Sequence, residues 1–72
     1  MSERSARLSV LVNSPAWPLL IAVIHETVDG MKQKAMEAPT DEEAAKLFLR
    51  ARIAFELSSL LVIAVENAAQ GE

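Results

Sequence analysis

The sequence predicts an all-α protein: an antiparallel two-helix hairpin that dimerises into a four-helix bundle. Three observations carry that expectation. The second half of the chain, from Thr40 to Ala69, contains neither Gly nor Pro. Within it Leu47, Phe48, Ala51, Ala54, Phe55, Ser58, Leu61, Val62, Val65 and Ala68 recur at spacings of three and four, which repeat along one face of a helix. Leu49, Ile53, Leu57, Leu60 and Ile63 widen the apolar surface beyond what one helical partner covers. The pattern therefore points to self-association or a protein partner, and it names no reaction.

The first element, residues 1–14, reads as an N-terminal arm. Met1 to Arg7 look frayed. Leu8, Val10 and Val12 alternate as in a strand, yet Leu8, Leu11 and Val12 also match a helical face. A lone strand has no partner here, so the segment is expected to be an extended or short helical arm. It would pack on the hairpin or on a neighbouring subunit.

The hairpin spans residues 15–70, with helices at about 15–37 and 41–69. Ser14 is the expected cap of the first predicted helix, with Pro15 at its first position. Pro18 is awkward in that register, because its missing N–H would forfeit the first helical bond. The inner face reads Trp17, Leu20, Ile21, Ile24, Val28, Met31 and Ala35. Gly30 is either a tolerated weak spot or the mark of a close crossing or kink. A true break after Asp29 is the alternative, and it would give three helices.

Ala38-Pro39-Thr40-Asp41 is the expected turn. Pro39 disfavours helical geometry at Ala38. Thr40 then caps the second predicted helix, with Glu43 completing a capping box and Asp41 and Glu42 favoured by the helix dipole. Gly71 is the expected C-cap. So short a turn makes the two helices antiparallel neighbours.

Composition narrows the function classes. The chain has 72 residues, a net charge of −3, 51% apolar and 24% charged residues, which is a globular composition for one small domain. The absence of Cys excludes thiol nucleophiles, disulfides and zinc–thiolate sites. No secretory signal and no membrane-length apolar run is apparent, so the expected location is cytoplasmic. Lys32, Lys34, Lys46, Arg50 and Arg52 flank the turn, but Glu37, Asp41, Glu42 and Glu43 share that end and largely cancel them. This argues against nucleic acid. His25 and Asp29 lie one turn apart without a nucleophile at a diagnostic spacing. His25, Glu26, Asp29, Glu56 and Glu66 lack the Glu-x-x-His pairing of bundle metal sites. The expectation is a chain with no catalytic residue, no metal, no cofactor and no small-molecule substrate.

The residues expected to make contacts are Trp17, Ile24, Phe48, Phe55, Leu61, Val62 and Val65. In the expected homodimer, Phe48, Phe55, Val62 and Val65 are covered on one side and Leu57 and Leu61 on the other. Trp17 stands at the open end of the hairpin, as a binding contact or as a plug in the core.

Asn13, Ser14, Pro15 and Trp17, followed by Asp41, Glu42, Glu43 and Ala44, give an arrangement that resembles small helical-hairpin proteins encoded by tailed bacteriophages. The resemblance covers Leu11 to Val65. It implies a phage accessory protein in the host cytoplasm, one that binds a host or phage protein or forms part of a virion or its assembly. It brings no catalytic residues.

Overall fold

The computed structural model describes residues 2–71 and contains three helices: α1 Glu3–Val12, α2 Ala16–Met36 and α3 Asp41–Ala69. The expected two-helix hairpin is thereby corrected to a three-helix arrangement. The expected four-helix bundle falls with it, because two copies of this chain would carry six helices. The third helix does not come from a break at Gly30, which lies inside α2. It comes from the N-terminal segment expected to be an arm.

Local chemistry explains why that segment is helical. The Ser2 hydroxyl oxygen caps α1 by accepting from the Ser5 N–H at 3.1 Å. Glu3 sits in the first turn, where the dipole favours a carboxylate, and pairs with Arg7 one turn on at 2.6 Å. Asn13 ends the helix. Its side-chain amide donates to the Ser9 carbonyl at 2.8 Å, and its backbone N–H does the same at 3.0 Å.

The break between α1 and α2 is short and bent by 70°. Ser14 holds it: its hydroxyl oxygen accepts from the Ala16 N–H, and its carbonyl accepts from the Trp17 N–H, both at 3.1 Å. Pro18 falls in the first turn of α2, where N–H groups have no intrahelical partner. Its missing donor therefore costs nothing.

The second turn is capped by Thr40, whose hydroxyl oxygen accepts from the Glu43 N–H at 3.1 Å. Asp41, Glu42 and Glu43 fill the first turn of α3. At the far end the chain leaves α3 through Gly71, at φ 73°, the left-handed geometry that glycine adopts without strain.

In this architecture α3 is the spine. With 29 residues it is about 43 Å long, against about 31 Å for the 21 residues of α2. The turn folds α2 back along α3, and α1 packs against α3 while barely touching α2. The molecule measures 52 × 22 × 11 Å, too thin for a second layer of helices over either face. Its radius of gyration is 16.0 Å, whereas a compact chain of this length has about 11 Å.

The core is correspondingly slight. It consists of Trp17, Val28, Ala35, Ala51 and Ala69. Three of these five are alanines, so the helices approach closely but bury little apolar area where they meet.

Candidate functional site: the apolar faces of α3

A helix advances 100° per residue, so the buried Ala51 fixes which way each side chain of α3 points. Ala44, Ala51, Ser58, Val62 and Ala69 fall on the inner face. Leu47, Ala54, Phe55 and Val65 flank it. Val28 of α2 lies against this seam: it shares one groove with Ala54 and Ser58 and another with Phe55. Leu49, Ile53, Leu57, Leu60 and Ala64 fall on the outer side, away from α2.

The residues expected to make contacts do not form one surface. Trp17 is buried in the seam, and Ile24, Val62 and Val65 are half-buried. Phe48 and Phe55 are exposed along one rim of α3, and Leu61 is exposed on a different flank. Phe55, expected to be covered in a homodimer, is 44% exposed in the single chain. Its ring leans on His25, with centroids 6.3 Å apart and planes at 37°.

The outer residues are those whose breadth points to self-association in the sequence, where Leu57 alone of them is expected on the covered surface of a dimer. Leu49, Ile53, Leu57, Leu60 and Ile63 are each between 52 and 65% exposed. Ile53, Leu57, Leu60 and Ala64 follow one another at spacings of four, three and four, the spacing of a helix–helix seam. That spacing was the available signal. Charges are sparse along it. Glu56 sits at one flank, where Arg52 Nε donates to it at 3.1 Å, and Lys46 lies toward the amino-terminal end, 3.7 Å from Glu42. These pairs are exposed, and each is worth only about 0.2–0.5 kcal/mol.

Near the α1–α2 break, Val10 and Leu11 of α1 and Leu19, Leu20 and Val23 of α2 are also exposed.

The grooves beside the α2–α3 seam are small and open. The one lined by Ile21, Ile24, His25, Ser58, Ser59, Val62 and Ile63 holds about 240 Å³. Ser58 shares it with His25, but its hydroxyl donates to the Phe55 carbonyl at 3.0 Å. Thr27 likewise donates to the Val23 carbonyl at 2.8 Å. Both hydroxyls are thus turned back onto their own helices. No cluster of three or more His, Asp or Glu residues able to hold a metal occurs among the described residues. The Trp17 indole N–H is buried without a hydrogen-bond partner among them.

Among the described residues no single helix is long and apolar enough to cross a membrane. The pair α1 and α2 reaches that length and composition only across its 70° bend. In comparisons with known proteins, no family model, no curated protein and no solved structure matches this chain.

Proposed function

We propose that this chain is a small non-enzymatic protein–protein interaction module that acts through apolar helix faces. The observation that carries this reading is the inversion along α3. Ala44, Ala51 and Ser58 line the centre of its inner face, beside the half-buried Leu47, Val62 and Val65, while Leu49, Ile53, Leu57 and Leu60 project outward. Large exposed apolar patches on a small protein mark contact surfaces. Helix-in-groove recognition uses anchors at spacings of three and four, the spacing of the outer residues of α3.

Cross-linking in a native cell extract tests the reading. The chain should cross-link to protein, either another copy or a different partner, through α3, and the Leu57→Glu, Leu60→Glu double variant should lose those products. Thermal stabilisation by small metabolites, with no α3-dependent protein contact, would contradict it.

A second reading has its own support. The exposed apolar residues on either side of the α1–α2 break belong to other helices than the outer face of α3, so the chain exposes large apolar side chains on all three helices. That distribution suits a structural or assembly component that joins more than one neighbour. Val23→Glu should then weaken a contact that Leu57→Glu leaves intact.

A further inference from the structure

We propose that the outer stripe of α3 docks a second copy of this chain, packed antiparallel about a two-fold axis near Leu57. The proposal rests on the interaction role above and names its partner.

The first argument is area. The chain exposes 5548 Å², whereas a compact monomer of 7.8 kDa exposes about 4,400 Å². The excess is roughly 1,100 Å², against about 800 Å² per partner in a standard stable interface. A single copy thus carries enough surplus surface to supply one side of a dimer.

The second argument is register. A two-fold interface uses the same patch on both copies, so the patch must complement itself. The stripe does. When two copies of α3 run antiparallel about an axis between Glu56 and Leu57, Ile53 meets the partner's Leu60 and Leu49 meets the partner's Ala64. Leu57 lies beside the axis. Spacings of four, three and four let such side chains interdigitate along the seam.

The third argument is charge, and it sets the direction. Asp41, Glu42 and Glu43 occupy the first turn of α3. A parallel pair would gather six carboxylates at one end and align two helix dipoles. An antiparallel pair separates the two acidic turns by the length of the helix, about 43 Å. The Glu56 carboxylates then come nearest to one another, and each is already held by its own Arg52 at 3.1 Å.

Light scattering and single-cysteine cross-linking test the proposal. The wild-type chain should elute at twice its 7.8 kDa mass at tens of micromolar. Leu57→Glu and Leu60→Glu should each raise the dimer dissociation constant roughly 30-fold or more, since a central interface side chain is altered on both copies. The chain has no native cysteine, so each cysteine variant carries one thiol. Leu57→Cys is close to neutral for folding at this exposed site. It should form a disulfide-linked dimer on oxidation, because it lies beside the axis. Leu49→Cys should not, because two such positions lie roughly 20 Å apart in the antiparallel pair. Equal cross-linking of both variants would overturn the antiparallel arrangement. A monomer at tens of micromolar, or a dimer unaffected by either glutamate, would overturn the proposal. If that monomer still captured a different protein through Leu57, the interaction role would stand without the second copy. If it made no α3-dependent contact at all, both would fall.

Discussion

The two faces of α3 are built in opposite ways. The inner face meets α2 with small residues: Ala51 is 1% exposed, and Ala35 on α2 is fully covered. The outer face presents Leu49, Ile53, Leu57 and Leu60 to solvent. In an ordinary amphipathic surface helix the larger side chains face inward. Here the small ones do, so the seam with α2 is close but thin. Burying a methyl-sized group contributes only about 0.8 kcal/mol, against roughly 1.5–3 kcal/mol for a large aliphatic side chain. A large share of the apolar surface of α3 is therefore left exposed within one chain.

Substitutions on the inner side should break this contrast most severely. Trp17 is the one large ring in the core, at 6% exposure. Trp17→Ala is expected to cost roughly 3–5 kcal/mol, measured by chemical denaturation. Trp17→Phe should cost much less, since it keeps most of the ring and removes the N–H that has no partner. A Trp17→Ala variant of wild-type stability would place the real core elsewhere.

The closeness of the seam predicts the next effect. Ala51→Leu forces a larger side chain into the seam and should destabilise by roughly 1–3 kcal/mol. The same enlargement on the outer face, Ala64→Leu, should leave the fold of a single chain intact and strengthen self-association. If Ala51→Leu were tolerated without loss, the seam would be loose and the contrast between the faces false.

Thr40→Ala removes the side-chain cap of α3 and should cost roughly 0.5–2 kcal/mol without altering either face. Because the spine of the molecule starts there, circular dichroism should show fraying from the turn. Unchanged stability would mean that α3 gains nothing from the Thr40 hydroxyl.

The smallest effect is on α2 and has the opposite sign. Gly30 is helical and exposed, and a Cβ built there meets nothing within 4 Å. The reading of Gly30 as a close helix crossing therefore gives way to a tolerated weak spot. Gly30→Ala should stabilise by about 0.4–1 kcal/mol. A loss of stability would reveal a contact over α2, and hence a covered face where we place an open one.

The legible parts of this structure are those written in local chemistry. Thr40 and Glu43 mark the start of α3 by a hydrogen bond three residues long, and Gly71 marks its exit by a backbone angle. Both signals need no knowledge of the rest of the fold. Helix α1 was written in the same code, in Ser2, Glu3, Arg7 and Asn13. The apolar pattern of Leu8 to Val12 fits a strand as well as a short helix, so periodicity leaves the segment undecided, and the polar residues around it decide for the helix.

The contact surface was harder to read for a different reason. Periodicity identifies apolar faces but does not say which one a neighbour takes. With apolar residues almost all round α3, size was the discriminating clue. Alanine and serine at residues 44, 51, 54 and 58 allow close approach, and the large residues opposite are left out. The spacing of three and four makes Phe48, Phe55 and Leu61 expected contact residues. They lie at the rims because the close seam has no room for them.

The central claim is that this fold leaves its larger apolar face for a second copy, so that folding and association are linked. Thermal unfolding across a hundred-fold range of protein concentration, from about 1 to about 100 μM, tests it most directly, because assembly of folded chains shifts the midpoint by mass action. The account predicts a melting temperature that rises by about 5 °C or more across that range, and a Leu57→Glu variant in which the rise disappears. A midpoint independent of concentration in the wild-type chain would contradict it.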